Sequence, residues 1–372
     1  MVTRKVYECN LSHLGMGNMR LPVLDGKSGV PIDFEKAQQI IDYAMEQGIN
    51  YYDSAYVYHS GESEKFLGEA MKKYPRESYH LATKFLLQAN PDYKAVFEEQ
   101  LSRLKTEHID FYLLHAISDG NADKYLESGC IEYYEQQKAA GRIKHFGFSF
   151  HGSPQTLTRF LDSHSFDFVQ IQLNYFDWNY GTAKQEYEIL SGRNIPIIVM
   201  EPVRGGRLAK LTPETEGILH EAHPDWSCAS WAFRFVKGLA GVKVILSGMS
   251  NMEQIMDNVK TFEGDEALTI EDEATLMKAC AAFRSQVVVP CTECRYCCDD
   301  CPAKINIPEY LKLYNNYKLN GWWQLNSLEK VDSEGKPSDC IACGACTAHC
   351  PQNIEIPTIM KTIAEAMKGK DE

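Results

Sequence analysis

The chain has 372 residues, 44% hydrophobic and 24% charged, with a formal net charge of −13. That length suits two domains, and the composition is that of a globular protein. The acidic balance argues against a general nucleic-acid surface. No stretch reaches the roughly 18 apolar residues of a membrane helix, and MVTRKVYECN carries no apolar secretory core, so a cytoplasmic protein is expected.

In chain order, SHLGMGNMRL (12–21) reads as a first strand and turn, and DGKSG (25–29), which lacks P-loop glycine spacing, as a turn. From about residue 35 to 262, strand-like and helix-like segments alternate. Short apolar strands are expected at 49–54, 79–85, 109–115, 143–149, 168–174, 195–201 and 242–248. Helices are expected at 62–74, 91–104, 122–141, 154–163, 182–193, 227–238 and 251–262. The strands are apolar on both faces, as a parallel sheet covered by helices requires. With the first strand, the pattern gives about eight β/α units, the count of a (β/α)8 TIM barrel. A doubly wound open sheet is the alternative, but GMGNMR lacks the third glycine of its fingerprint. Residues 264–286 read as an acidic helical connector.

The last quarter carries one cysteine run twice. Cys291, Cys294, Cys297 and Cys301 precede Pro302; Cys340, Cys343, Cys346 and Cys350 precede Pro351. C-x2-C-x2-C-x3-C-P is the bacterial iron–sulfur spacing, in which the fourth cysteine ligates the other cluster. Two [4Fe–4S] clusters are therefore expected. Cys291, Cys294, Cys297 and Cys350 would hold one, and Cys340, Cys343, Cys346 and Cys301 the other. Zinc knuckles do not need this grouping, and a disulfide framework suits a short secreted chain. IPEYL and IPTIM follow the two runs at equivalent places, so the segment is an internal duplication, with proline in the first turn of each helix. Cys9, Cys130, Cys228, Cys280 and Cys298 read as buried thiols, with Cys298 alone placed to substitute as a ligand. The expected domains are a barrel over 1–285 and a small, mainly helical, ferredoxin-type domain over 286–372.

Active sites in such barrels sit where strands end and βα loops begin. Three consecutive strands end in Asp53, Lys84 and His115, and Tyr58 follows Asp53 by five residues. Taken singly, these read as a helix cap, a surface ion pair, a core histidine and packing. Together on one rim they form a constellation. Here the chain resembles the aldo-keto reductase family, over roughly residues 8–262, through DSAYVYHSGESEKFLGEAM, LATKF, IDFYLLH, GRIKHFGFS, VQIQLNY and LSGMSNMEQIMDN. The resemblance implies an NAD(P)H-dependent oxidoreductase that reduces an aldehyde or ketone. Tyr58 would be the general acid, and Lys84 would lower its pKa. Asp53 would hold Lys84, and His115 would orient the carbonyl.

The resemblance also implies nucleotide contacts. Ser149 and Gln170 match carboxamide-binding positions, although Phe150 stands where the family often has Asn. Met200 stands where a tyrosine commonly stacks on the nicotinamide, and Gly17 lies in the first-strand loop beneath it. Gly248, Met249, Ser250, Asn251, Gln254 and Asn258 match the adenosine-phosphate site, with Gln254 in place of a frequent Arg; Arg204 and Arg207 follow the seventh strand. NADP(H) is favoured over NAD(H).

Such a reductase needs no cluster, and each cluster moves one electron where hydride transfer moves two. The clusters either relay electrons to or from a redox protein partner, with a flavin as a converter that no motif indicates, or staple a small domain. The rival readings are a barrel serving as a docking platform for electron transfer and a lyase or isomerase using Lys84 as a Schiff base.

Overall fold

The computed structural model describes residues 1–24, 31–291, 295–299, 301–348, 350 and 354–368. Cys294, Pro351 and the expected turn at 25–29 lie outside them. The described residues group into two compact units, Met1–Val203 with Ala229–Glu273, and Arg204–Cys228 with Ala274–Glu372.

The first unit is built on eight parallel strands that close on themselves. These are β3 (Leu14–Gly17), β4 (Tyr51–Asp53), β5 (His80–Phe85), β6 (Ile109–Ile117), β7 (Ile143–Phe150), β8 (Phe168–Gln172), β9 (Ile197–Met200) and β10 (Val242–Ser247), with β10 pairing back onto β3. The expected (β/α)8 barrel is therefore observed. Around it run α1 (Phe34–Glu46), α2 (Glu62–Ala70), α3 (Tyr93–Leu104), α4 (Ala122–Glu127), α5 (Cys130–Ala139), α6 (Pro154–Ser163), α7 (Tyr175–Tyr180) and α8 (Ala183–Gly192), and later α10 (Cys228–Lys237) and α11 (Met252–Thr261). Their apolar faces bury Ile40, Leu67, Phe97, Tyr134, Leu157 and Ile255 against the outward side chains of the strands. Capping follows sequence: Asp33, Asp92, Ser153 and Asn251 each accept a main-chain N–H from the first turn of α1, α3, α6 and α11.

A hairpin precedes the barrel, β1 (Thr3–Val6) and β2 (Cys9–Ser12). Its Val6 and Leu11 join the barrel-interior residues Tyr51, Ala82, Phe111, Leu113, Phe168, Ile198, Val244 and Leu246 in one apolar cluster. The hairpin thus plugs the barrel at the N-terminal ends of its strands. Gly15 is needed beside this packing, since a Cβ there would stand 2.6 Å from Val244 Cγ1 and 2.8 Å from Leu246 Cδ2.

Directly after the hairpin, His13 is buried with neither ring nitrogen hydrogen-bonded among the described residues. Burial first, then the positive charge of Arg4, pushes its pKa down to about 3. The folded state keeps the ring neutral while the unfolded chain protonates it below about 6.5, so this site loses stability as pH falls from 6.5 toward 3. Going from pH 7.5 to 5.0 should cost the wild-type protein up to about 2 kcal/mol more than it costs His13→Leu. Urea midpoints of the two proteins at each pH measure this; parallel pH dependences would refute it.

In the second unit, α9 (Pro213–Ala222) groups with the C-terminal region. The expected connector is α12 (Ile270–Val287), which begins in the first unit. After it come α13 (Tyr296–Asp299), α14 (Ile307–Asn320), α15 (Leu325–Leu328), α16 (Ala345–Ala348) and α17 (Ile356–Lys368). The duplication read from sequence is present in the backbone. Each long helix starts at a buried isoleucine whose N–H bonds two residues back, Ile307 to Ile305 O and Ile356 to Ile354 O, both at 2.8 Å. Leu311, Leu328, Met360 and Ile363 form a second, separate core. Among the described residues, no helix is long and apolar enough to cross a membrane.

Candidate active site and cluster cysteines

Side chains alternate across a strand, so one parity of each barrel strand faces the interior. Tyr51, Ala82, Phe111, Leu113, Phe168 and Ile198 are interior by their packing. Two residues further along the same strands lie Asp53, Lys84, His115, Gln170 and Met200, and Ser149 pairs with Gln170 across β7 and β8. The apolar plug and the polar residues are thus successive layers of one stack. β6 runs past His115 to Ile117, and its register against β7 shifts between Leu114 and Ile117, with Ala116 at φ 56°. Such an irregularity re-aims a side chain beside a site.

Lys84 is 1% exposed. Its ammonium donates to the Asp53 carboxylate in a short contact, to Ser54 O at 2.7 Å and to Tyr58 Oη at 3.3 Å. An ammonium has three donors, and all three are used. Burial penalises both charges of the pair, and it raises the Asp53 pKa; the carboxylate and phenol nonetheless hold Lys84 above its ordinary value. Gln170 Nε2 donates to Asp53 Oδ2 at 3.2 Å, and Asn18 Nδ2 to Asp53 O at 3.0 Å.

Tyr58 opens a tight turn in which His59, Ser60 and Gly61 all take positive φ, at 49°, 55° and 90°. Strain of this kind persists only where the surroundings fix it. Here Arg103 of α3 donates to Tyr56 O at 3.1 Å and Glu64 Oε2 at 3.0 Å, while Ser63 Oγ donates to Asn18 O at 3.0 Å. The phenol ring meets the His115 ring edge-on, centroids 5.7 Å apart. Burial raises the Tyr58 pKa above 10.0, and Lys84 is the largest effect opposing it. Lys84 therefore acts in the expected direction, but burial outweighs it and the phenol stays protonated. Burial and the nearby Lys84 charge hold the His115 pKa well below its ordinary value, so the imidazole is neutral. Its Nδ1 is buried with no hydrogen-bond partner among the described residues.

The structure thus brings Asp53, Tyr58, Lys84 and His115 together at the C-terminal mouth of the barrel. It can offer a substrate oxygen one phenolic proton and, from the neutral imidazole, one N–H. Ser149 Oγ accepts from Ala116 N at 2.8 Å and keeps its own hydrogen to give. Phe150, where an amide is frequent in the resembling family, is buried in the outer core. The first turn of α11 is engaged internally: Ser250 N donates to Gln254 Oε1 at 2.7 Å and Gln254 N to Asn251 Oδ1 at 2.9 Å. Asn258 Nδ2 donates to Ser247 Oγ at 2.9 Å, Ser250 Oγ to Arg20 O at 2.6 Å, and Met249 is fully buried. A phosphate takes these N–H groups only by displacing the caps. Gly17 and Gly248 sit against neighbouring backbone and Arg20, with room for no bulky side chain. Arg204 and Arg207 belong to the second unit, where Arg207 donates to Tyr317 O at 3.2 Å. Asn18 is a partner of Asp53 that pattern reading missed; a buried side-chain amide beside a strand end carries no sequence signal of its own.

In the second unit, Cys301, Cys340, Cys343 and Cys346 line one apolar cavity with Ile305, Ile307, Ile356 and Met360. Cys291, Cys297 and Cys350 pack with the same core; Cys294 is outside the described residues. Cys298 is a half-buried neighbour of Cys297. Burial, with Cys298 and Cys291 adding, pushes the Cys297 thiol up to about 12. A coordinating cation would deprotonate such thiols outright. The twelve described cysteines form no disulfide.

The Aldo/keto reductase family model matches residues 13–280, and a 4Fe-4S dicluster domain model matches 290–355. "Uncharacterized oxidoreductase YqkF" of Bacillus subtilis (strain 168) is 24% identical over 286 residues, 68% of this chain and 88% of that protein. "L-galactose dehydrogenase" of Arabidopsis thaliana is 26% identical over 271 residues, 65% of this chain and 83% of that one. The holo form of aldo-keto reductase AKR11C1 from Bacillus halodurans superposes with a TM-score of 0.63 at 26% identity, covering 75% of this chain and 96% of its own. The barrel, its rim and these matches agree: the chain belongs to the aldo/keto reductase family of oxidoreductases, and a 4Fe-4S dicluster domain follows its barrel.

Proposed function

We propose that the protein reduces an aldehyde or ketone to the alcohol with NADPH in preference to NADH. The observation that carries this reading is the saturated Lys84 ammonium, tied at once to Asp53 and Tyr58. The dinucleotide supplies hydride when bound; Ser149, Gln170, Met200 and Gly17 would hold its nicotinamide end, and Gly248, Met249, Ser250, Asn251, Gln254 and Asn258 its phosphate end. His115, neutral, gives an N–H to the carbonyl oxygen and fixes its position. Tyr58 gives that oxygen its phenolic proton, completing the alcohol. The phenolate left behind faces the Lys84 ammonium, and Asp53 keeps that ammonium charged. A Schiff-base lyase is disfavoured, since a Lys84 held above its ordinary pKa with every N–H engaged is a poor nucleophile.

In this reading the barrel over 1–285 carries the carbonyl chemistry and 286–372 the clusters. Cys291, Cys294, Cys297 and Cys350 hold one and Cys340, Cys343, Cys346 and Cys301 the other; the shared cavity of the last four supports that set. Two paired clusters exceed what stapling a small domain needs, which favours a relay to a redox protein partner. Anaerobically purified protein should contain about eight iron and eight sulfide per chain and oxidise NADPH on addition of aldehydes. Prior reduction of its clusters with dithionite should change the rate of that turnover. An unchanged rate would leave the clusters structural; no NADPH oxidation with any carbonyl would leave the barrel a docking platform.

A further inference from the structure

We infer a transition-metal site at the closed end of the barrel, formed by Glu8, Cys9 and His145 and suited to zinc. His145 shares the interior parity of Ser149 on β7 and lies four residues before it, at the opposite end from the reductase rim. It is 5% exposed. The β1–β2 turn brings Glu8 and Cys9 to it. His145 Nε2 lies 3.7 Å from Cys9 Sγ and 3.4 Å from Glu8 Oε1, and the three donor atoms fall within 4.8 Å of one another.

Those separations are the edges of a tetrahedron. Zinc–sulfur and zinc–nitrogen bonds of about 2.3 and 2.05 Å put tetrahedral S and N about 3.5 Å apart, and N and O ligands about 3.4 Å apart. Only the Cys9–Glu8 edge must close, and Glu8 has 72% of its side chain exposed and is free to rotate. The imidazole is already aimed. Tyr7 stacks on one face, centroids 5.0 Å apart at 13°, Phe111 lies 4.8 Å away, and Tyr7 Oη is anchored to Asp167 O at 2.9 Å. These ring contacts fix the plane of the imidazole. One sulfur, one nitrogen and one oxygen leave a fourth position for water. Binding forms a Cys9 thiolate–zinc bond and releases the thiol proton to solvent. The site is distinct from the cluster cysteines, all of which lie in the other unit. Its effect would be to tie the plugging hairpin to the wall it closes.

Cluster-loaded protein, equilibrated anaerobically with zinc chloride and freed of excess, should retain one zinc per chain in addition to its iron. The zinc K-edge spectrum should show one sulfur at about 2.3 Å with nitrogen and oxygen ligands. Cys9→Ser and His145→Ala should weaken retention at least about 100-fold, and Glu8→Gln, a surface change that leaves folding intact, about tenfold. Cys130→Ser should have no effect. Zinc should raise the melting temperature of the wild type and not of Cys9→Ser. No zinc retained by the wild type beyond that of the variants, or an all-sulfur zinc shell, would overturn the site and leave a hydrogen-bonded cysteine–histidine pair.

Discussion

Tyr58→Phe should lower carbonyl-dependent NADPH oxidation by about 10²–10⁴-fold, the usual worth of a positioned general acid. The variant keeps the ring that meets His115 and loses only the hydroxyl that Lys84 reaches at 3.3 Å. Nucleotide binding, followed by fluorescence titration, should stay within a few-fold, so the loss falls on turnover. The pH profile gives a second reading. The acid must be protonated, and burial raises its pKa above 10.0, so the wild-type rate should hold from about pH 6 to 9 and fall only in more alkaline solution. His115, with its pKa lowered, contributes no loss on the acid side of that window. A fully active Tyr58→Phe protein would end the assignment of this group as the proton donor.

Lys84→Met should be the most destabilising single change at the site. It removes the cation from a buried carboxylate and leaves the Asp53 side chain, among the described residues, with only the Gln170 amide. Breaking a buried pair by deleting one partner costs about 3–5 kcal/mol, because the stranded charge stays in low dielectric. Asp53→Asn in the same protein should recover most of that loss, since two neutral side chains carry no unpaired charge. Turnover should recover in neither, because the phenolate then has no counter-charge. Urea or thermal unfolding of the wild type, both singles and the double variant measures the coupling. Additive losses would mean that Asp53 and Lys84 do not act as a pair.

Much of the barrel is legible in the chain because each strand is an apolar run whose last residues change character, as at Asp53 and Lys84. His115 was legible as a residue but not as a position: β6 continues beyond it, and a register shift, invisible in composition, aims it. The β1–β2 hairpin was not legible. Its turn is Tyr7–Glu8, with Tyr7 at φ 52°, and neither residue carries the glycine or asparagine signal of a tight hairpin. Gln170 reads as a nucleotide contact, yet its Nε2 donates to Asp53, because a site built from adjacent strand ends lets one side chain reach its neighbour's carboxylate. The balance between burial and Lys84 at Tyr58 was equally hidden, since burial is a property of the closed mouth and not of any local pattern. The cysteine runs were plain, because metal ligation imposes spacing directly on sequence.

The alternation that stacks catalytic groups above the apolar plug also limits how this molecule can diversify. Adding or deleting one residue within β5 would turn Lys84 outward into the helical layer and bring a neighbour such as Thr83 or Phe85 inward, so a single-codon length change there trades chemistry for a hole. Lengthening the segments beyond the strand ends carries no such penalty. New substrates are therefore reached by altering the rim, while the staves keep their length.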